Sequence, residues 1–505
     1  MSSESTLTTI SCVWRTCKWL CLQFLLYALM PYLWDSEYGV GAIVMMGIYT
    51  ALYVIYGEIV LRQYQRRWVW VPYVIYAAIS AGLFYAVDGW SASLVSCLLL
   101  PLYGLVCLLC VRLIQDYTKR LKKRFKAGGT VVTIAVVLAF VVLKAGCVSW
   151  QCREQGTIEG EKKEVIERRD YLVGKLVTTP RRVLRAMPSS IGMQFQGEWA
   201  LYSCSMLSSA LVNISHLYPE TRQENLLYID SLISIVQSPE LRNYDKVRWG
   251  EDPLESLNGN NSHISYLSHL AWMMCGYKEI GGGNKYDAQL AAICEAMNRR
   301  LRSSKGFNLP TYPHEPIYIP DMLVAIVALD KYAELNGGKY QATVDTWIDR
   351  AKNDWLDADT GLLVSFVNED GNQIEGAPIK GSYSALNCYY LTLIDNSFAN
   401  EQYDKLKTLF WKDGAIAGLK EYWDRTCWFG MDIDAGPILL ELSPSGTAFF
   451  AGGATYFNDI EVRNAILRTA EIAGHTITLG NKRHYLLANI ALVGESIMLA
   501  MRTNK

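Results

Sequence analysis

The turn at residues 276–287 reads Gly-Tyr-Lys-Glu-Ile-Gly-Gly-Gly-Asn-Lys-Tyr-Asp, and residues 331–341 read Lys-Tyr-Ala-Glu-Leu-Asn-Gly-Gly-Lys-Tyr-Gln. Each of the two turns separates a pair of segments with helical periodicity. Residues 400–404, Asn-Glu-Gln-Tyr-Asp, begin the second helix of a further pair with a similar sequence. Glycine ends a helix readily because it adopts the left-handed conformation without a steric penalty. The repeat therefore predicts a chain built from helical hairpins.

Helical periodicity on either side of these turns divides the C-terminal part into pairs. The expected pairs are 198–217 with 219–237, 264–279 with 285–303, 320–335 with 340–354, 383–395 with 401–415, and 446–456 with 459–473. The last helix, 484–502, is expected to pair with a leading helix near 161–176. Six such pairs close naturally into an (α/α)6 toroid, with an open superhelix of helical repeats as the alternative. A strand-like segment with an Asp-Gly turn at 361–378 predicts a small β-hairpin insertion.

The first 150 residues differ in composition from the rest of the chain. Apolar residues dominate them, and their charged residues occur in short clusters. Five stretches approach the roughly 20 apolar residues that a membrane-crossing helix needs: 18–34, 39–61, 68–87, 91–114 and 128–150. Lys and Arg occur only in alternate loops, which predicts a cytoplasmic N-terminus and an exoplasmic C-terminal domain, periplasmic in a Gram-negative bacterium. We therefore expect an all-α, multi-pass integral membrane protein.

The expected domain organisation has three parts. Residues 1–150 form a multi-span transmembrane region, residues 151–195 a stalk with the leading helix, and residues 196–505 the toroid domain with its β-hairpin insertion. The expected partners are the lipid bilayer and a small-molecule or glycan substrate, and a homo-oligomer is left open.

Composition and motifs exclude several function classes. With 48 basic and 49 acidic residues the net charge is −1, so no basic face points to a nucleic-acid partner. The scattered cysteines have no metal-ligand spacing, so no metal site is expected. A Walker motif, a dinucleotide fingerprint, a GxSxG elbow and an HExxH motif are all missing from the sequence, which leaves nucleotide hydrolysis, serine hydrolysis, zincin chemistry and a bound cofactor without support.

In a toroid, side chains that carry chemistry gather where the inner helices begin. Glu198 and Tyr202 open the first inner helix and share one face, since they are four residues apart. His263, Tyr266 and His269 lie at the start of the second inner helix. Histidine exchanges protons near neutral pH, which makes His263 a candidate acid or base.

Two later segments are also rich in polar and aromatic residues. The proline-stiffened loop 311–321 carries Tyr312, His314, Glu315, Tyr318 and Asp321, and the segment 428–447 carries Trp428, Asp432 and Asp434. We predict as catalytic residues His263, His314, Glu315, Glu198, Tyr202 and Asp434. We predict as substrate-binding residues Tyr266, Tyr312, Tyr318, Asp321, Trp428 and Asp432.

The segment that begins at Asp434 resembles a known family. Asp434-Ala-Gly-Pro-Ile-Leu, followed by Ser-Gly-Thr-Ala-Phe-Phe-Ala-Gly-Gly-Ala from Ser445, is similar to the late-hairpin motif of linalool dehydratase/isomerase-like domains. Glu198-Trp-x-x-Tyr, the helix of His263 and the loop His-Glu-Pro from His314 fall in the order of that family. The resemblance covers about residues 190–500.

The resemblance implies a toroid whose central pocket dehydrates an alcohol or shifts its hydroxyl group, with Tyr202 and His263 handling protons. The family also has cysteines near the loop that matches 312–324, whereas this chain has none there.

Three functions are left open by the sequence. The first is a lyase or isomerase that acts on a hydroxylated small molecule by general acid–base catalysis. The second is a carbohydrate-active toroid enzyme, which would draw a pair of carboxylates from Glu315, Asp321, Asp432 and Asp434. The third is a non-catalytic binding or assembly module, which a ring centre plugged by apolar side chains would favour.

Overall fold

The structure, a computed structural model, describes residues 142, 144–187, 193–432, 435–489 and 492–505. The chain divides into two compact units, Met1–Gly146 and Cys147–Lys505. Nearly all described residues belong to the second unit, and everything that follows concerns that unit.

The described part is mostly helical, with short strands between some helices. The helices, in chain order, are α1 (Ile158–Leu176), α2 (Pro180–Arg185), α3 (Met193–Leu217), α4 (Arg222–Val236), α5 (Pro239–Trp249), α6 (Ile264–Glu279), α7 (Asp287–Ser303), α8 (Ile319–Leu335), α9 (Gln341–Asp354), α10 (Gly381–Leu391), α11 (Asn396–Phe410), α12 (Pro444–Tyr456), α13 (Ile460–Gly474) and α14 (Leu492–Arg502). The strands are β1 (Ile317–Tyr318), β2 (Phe366–Val367), β3 (Trp411–Lys412), β4 (Gly418–Leu419), β5 (Phe429–Asp432), β6 (Gly436–Leu439), β7 (Thr476–Leu479) and β8 (Lys482–Tyr485).

Within the described residues, six helices pack side by side in a closed ring. The order around the ring is α3, α6, α8, α10, α12 and α14, and α14 packs against α3 to complete it. The outer helices α4, α7, α9, α11 and α13 each pack against the inner helix that precedes them in the chain. Helix α1 packs on α14 and α3, where it occupies the sixth outer position. Short connections make each pair antiparallel, so all six inner helices begin at the same end of the ring.

The repeated Gly-Tyr turns form the connections at the opposite end. Gly281 has a φ of 96°, and the next amide, that of Gly282, donates to the carbonyl oxygen of Tyr277 at 2.9 Å. The two tyrosines of this repeat, Tyr277 and Tyr286, meet edge to face with ring centroids 5.3 Å apart. In the next hairpin Tyr332 stacks on Tyr340 in the same role, with centroids 5.7 Å apart. The glycines thus reverse the chain while the tyrosines cover the end of the hairpin.

Side-chain caps determine where several helices start. Asp395 accepts a hydrogen bond from the amide of Phe398 at 3.0 Å at the start of α11, and Ser443 accepts one from Gly446 at 3.1 Å at the start of α12. These bonds satisfy amides that have no partner within the helix. The inner helices are apolar on nearly every side, as in α6, where all residues from Ile264 to Gly276 are buried. They therefore form the core between the ring centre and the outer layer.

The expected membrane-spanning region is corrected by the structure. The stretches 18–34, 39–61, 68–87 and 91–114, and most of 128–150, lie outside the described residues. Among the residues that are described, no helix is both long enough and apolar enough to cross a bilayer. Even the 25-residue helix α3 carries a polar stripe, and it packs within the ring. The predicted multi-pass topology, the integral membrane localisation and the exoplasmic placement of the C-terminal domain are therefore unsupported.

The expectation of an all-α chain is also wrong in detail. The described residues include small two-stranded antiparallel sheets: β1 with β2, β3 with β4, β5 with β6, and β7 with β8. The hairpin expected at 361–378 is reduced to a turn closed by a bridge between Val367 and Gln373, because its first strand pairs instead with Ile317 and Tyr318. The expected last helix, 484–502, starts later, at Leu492, because residues 482–485 form β8.

Candidate functional site

One face of α3 points toward the middle of the ring. Glu198, Tyr202, Ser205 and Ser209 follow one another at spacings of four, three and four residues, which places them in a single stripe along the helix. The hydroxyl groups of Tyr202 and Ser209 contact residues of α10, three positions away around the six-helix ring. Helices three positions apart in a ring of six are opposite each other. The stripe therefore faces the ring centre.

Two hydrogen bonds cross the ring centre. The hydroxyl oxygens of Tyr202 and Tyr390 are 3.1 Å apart, and those of Ser209 and Tyr389 are also 3.1 Å apart. Burial is the main reason that the pKa of both Tyr202 and Tyr390 lies above the ordinary value, so both phenols stay protonated at neutral pH. The four hydroxyl groups together form a polar crosspiece between α3 and α10.

A neutral histidine lies beside this crosspiece. His269 of α6 has its Nδ1 atom 2.8 Å from the hydroxyl oxygen of Ser205, and its ring meets that of Tyr202 edge to face at 5.0 Å. Burial lowers the pKa of His269 to about 3, because the cationic form would lose its hydration. At neutral pH His269 therefore contributes a hydrogen-bonding ring and no charge.

Two carboxyl groups act on the phenol of Tyr202. Burial raises the pKa of Tyr202 most and the hydrogen bond to Tyr390 lowers it, while the charges of Asp321 and Glu198 raise it further. Asp321 is in the first turn of α8, where its Oδ2 atom accepts a hydrogen bond from the hydroxyl group of Thr311 at 2.7 Å. Glu198 also raises the pKa of Tyr312, second to burial. Carboxyl groups from two different inner helices thus lie close to one central hydroxyl group.

Some side chains of this cluster are accessible to solvent. Glu198, Tyr202 and Asp321 are each partly exposed, although the helices around them are almost entirely buried. The hydroxyl group of Tyr202 points at the opposite helix, and the Oε2 atom of Glu198 is buried. We define the central cluster as Glu198, Tyr202, His269, Asp321 and Tyr390.

His263, predicted as a catalytic residue, makes its side-chain hydrogen bonds with residues outside the central cluster. Its side chain is fully buried, with Nδ1 at 2.5 Å from Asp245 Oδ2 and Nε2 at 3.3 Å from both Glu251 Oε1 and Ser256 Oγ. Burial raises the pKa of Asp245, and the contact with His263 opposes that rise. The predicted substrate-binding residue Tyr266 is also fully buried, and its hydroxyl group donates to the carbonyl oxygen of Val236 at 3.1 Å. The structure thus places both side chains in packing between helices.

The predicted loop pair His314 and Glu315 lies near the surface. His314 is exposed and has a φ of 65°, and Glu315 is about one-third exposed. Arg248 connects this loop to the interior, since it donates to Glu315 at 2.8 Å while its guanidinium carbon lies 4.0 Å from the ring centroid of Tyr312. Tyr312 itself is buried beside Glu198. The structure thus brings Tyr312 to the central cluster and leaves His314 outside it.

The remaining predicted residues are distributed over the loops at the end of the ring where the inner helices begin. Tyr318 contacts Tyr383 and Phe366 with ring centroids 6.3 Å and 5.1 Å apart. Asp432 accepts a hydrogen bond from the Nζ atom of Lys380 at 2.7 Å.

Trp428 is 55% exposed on the outer part of this loop region, where Lys412 approaches its ring. Asp434 lies outside the described residues. The roles predicted for all these residues stay predictions.

The sequence did not single out Tyr390 or Glu421. Tyr390 follows a run of helix-compatible residues with no local motif, and only the crossing to Tyr202 reveals its position. Glu421 is fully buried and accepts hydrogen bonds from the hydroxyl group of Ser382 at 2.8 Å and from its amide at 3.2 Å. Burial raises the pKa of Glu421 to about 7. It therefore joins the long loop before α12 to the start of α10.

Within the described residues, no group of three or more His, Cys, Asp or Glu side chains is arranged to hold a metal ion. The central cluster contributes carboxyl, phenol and imidazole groups.

Comparisons with known proteins add little to this geometry. No protein-family model matches the chain, and no curated protein matches it. Among solved structures, the glycoside hydrolase of family 105 from C. acetobutylicum ATCC 824 is similar with a TM-score of 0.44 and 12% sequence identity, over 59% of this chain and 92% of that one. A likeness at this level carries no conclusion about fold or activity. This similarity gives no link to linalool dehydratase.

Proposed function

We propose that the ring is a carbohydrate-active enzyme that cleaves glycosidic bonds by general acid–base catalysis. The observation that supports this function is a pair of carboxyl groups at the start of two inner helices: Glu198 lies one helical turn before Tyr202 on α3, and Asp321 lies in the first turn of α8. The charges of both raise the pKa of the central phenol of Tyr202. Enzymes that cleave glycosidic bonds need two carboxyl groups around the bond that breaks. In this proposal one carboxyl group protonates the leaving oxygen. The other, as a carboxylate, takes a proton from the water molecule that attacks the sugar carbon.

The surroundings of the two carboxyl groups suit this chemistry. Tyr202 keeps its proton at neutral pH, since burial raises its pKa, and can donate a hydrogen bond to a sugar hydroxyl group. His269 is neutral, so it adds no positive charge beside the two carboxyl groups of the central cluster. The rings of Tyr202 and Tyr318 are partly exposed and offer apolar faces with a polar end, which matches the mixed surface of a sugar.

The test is turnover by the full-length chain across a panel of oligosaccharides and of small alcohols. We expect turnover of an oligosaccharide class. In Glu198→Gln and Asp321→Asn the rate should fall by about 10²- to 10⁴-fold, the usual contribution of a positioned acid or base. The matched control is Glu461→Gln, because Glu461 also lies in the first turn of a helix but is exposed on the outer layer. Its rate should be unchanged.

Two outcomes would contradict the proposal. If both variants at Glu198 and Asp321 keep the wild-type rate on the oligosaccharide that is turned over, the central carboxyl groups are not the catalytic ones. If the chain converts alcohols and no oligosaccharide, the dehydratase or isomerase activity predicted from the family resemblance replaces this proposal.

A further inference from the structure

We infer that the central cluster lies in a blind pocket that admits only the end of a glycan chain, so that the enzyme removes terminal units and does not cut inside a chain. This inference rests on the proposed function and adds the kind of substrate end that the site can take. Its basis is the pair of hydrogen bonds that crosses the ring, Tyr202 with Tyr390 and Ser209 with Tyr389.

The crosspiece is held firmly on its α10 side. Tyr389 and Tyr390 are fully buried, and their ring centroids are 5.2 Å apart. Trp272 of α6 meets the ring of Tyr390 edge to face at 5.8 Å. Rotation of either tyrosine away from the centre would require these packed neighbours to move, and protein interiors have little free volume for that. The crosspiece is therefore a fixed barrier across the ring, and we call it the floor of the pocket.

A polymer cannot pass this floor. Oxygen atoms 3.1 Å apart are in direct contact, so no sugar unit fits between Tyr202 and Tyr390. A chain that bound along the ring axis would have to stop there. The contact between Tyr202 and Tyr390 thus excludes an open tunnel through which a glycan chain could pass along the ring axis.

The floor also lies close to the catalytic groups. Glu198 precedes Tyr202 by four residues of α3. At about 1.5 Å rise per residue, its backbone is about 6 Å closer to the end of the ring where the inner helices begin. Asp321 lies in the first turn of α8, where all inner helices begin. The carboxyl groups therefore start only about one helical turn from the floor, which suits a terminal sugar and not a continuing chain.

The test uses an unlabelled oligosaccharide of defined length, chosen from the class that the panel shows to be turned over, with product masses recorded at early conversion. We expect a single short product of constant length together with the chain shortened by that length. A spread of intermediate lengths at early conversion would overturn the inference and leave the proposed function standing. If no oligosaccharide is turned over at all, the proposed function fails and this inference fails with it.

A second measurement does not depend on turnover. Asp321→Asn should bind the same oligosaccharide without cleaving it, and saturation-transfer NMR then reports which sugar protons touch the protein. We expect the strongest transfer at one terminal unit, with a steep decline along the chain. Equal transfer to all units would show a groove that binds the chain lengthwise, which contradicts a blind pocket. Glu461→Gln with a non-hydrolysable analogue of the same chain serves as the control and should give the same gradient.

Discussion

Arg168 of α1 donates to Glu495 of α14 across 2.5 Å, and each side chain is about 1% exposed. The same guanidinium group donates to Glu164 at 2.8 Å, and it lies 3.5 Å from Glu471 of α13. Helix α1 comes first among the ring helices in the sequence, while α13 and α14 come last. This buried ion cluster therefore closes the ring, because it joins the two ends of the chain of hairpins.

Arg168→Met should weaken this closure. The change leaves the carboxyl groups of Glu164, Glu471 and Glu495 buried without their shared cation, and removal of one partner from a buried ion pair typically lowers the free energy of unfolding by about 3–5 kcal/mol. Urea unfolding followed by circular dichroism measures the change. Arg181→Met is the control, because Arg181 is 78% exposed and lies 3.8 Å from Glu240. There we expect a change below about 0.5 kcal/mol, and equal losses in the two variants would contradict a closing role for Arg168.

Glu421→Gln should change how stability depends on pH. Burial raises the pKa of Glu421 to about 7 in the folded chain from an ordinary value of 4.5, so the folded state holds a proton that the unfolded state has lost. Its contribution to stability is therefore complete below about pH 4.5 and is lost as the pH rises through about 7. Glutamine cannot ionise. Between about pH 5 and pH 8.5 the variant should gain up to about 3 kcal/mol relative to wild type.

Urea midpoints at several pH values measure this gain. Glu369→Gln is the control, since Glu369 is exposed, and its difference from wild type should not vary with pH. A difference between Glu421→Gln and wild type that stays constant across the range would show that Glu421 does not titrate near neutral pH in the folded chain.

His263→Asn should lower stability more than activity. The change removes the buried contacts of the imidazole ring with Asp245, Glu251 and Ser256, and it leaves Asp245 buried without its partner. We expect a loss of about 2–3 kcal/mol in the free energy of unfolding. Turnover of the oligosaccharide class, measured well below the unfolding temperature, should stay within a few-fold of wild type.

The control is His475→Asn. His475 has the same φ of 50° as His263 but is exposed, although its ψ of 105° differs from the 24° of His263. Asparagine is among the residues that adopt a positive φ most readily. We expect the control to change stability little. A fall in turnover of about 10²-fold or more in His263→Asn, with unchanged stability, would return His263 to the catalytic role that the sequence predicted.

Local sequence was informative about where helices begin and end. The segment predicted as helix at 264–279 is α6 with the same bounds, and the one predicted at 320–335 is α8, Ile319–Leu335. Glycine turns, caps and helical periodicity act over a few residues, so they can be recognised without knowing the neighbours. The loop before α6 was harder, since helix α5 within it, Pro239–Trp249, was not predicted.

The same local pattern said little about which side chains face the ring centre. An inner helix is buried on nearly every side, so hydrophobic periodicity does not mark its functional face. His263 and His269 are six residues apart in the sequence, yet one contacts Asp245 of α5 and the other contacts Ser205 of α3. The choice between them depends on the unpredicted helix α5, and no property of the segment itself reveals it.

By itself the sequence determined the hairpin pairs and the polar residues available where the inner helices begin, because both depend on short-range backbone and capping preferences. Only the tertiary structure decided which of those residues meet. Tyr202 and Tyr390 are 188 positions apart, and their contact exists because ring closure brings opposite helices together. Arg168 and Glu495, whose contact joins the first and last helices of the ring, are 327 positions apart. Contacts over such separations arise from the packing of whole helices, which no short segment specifies.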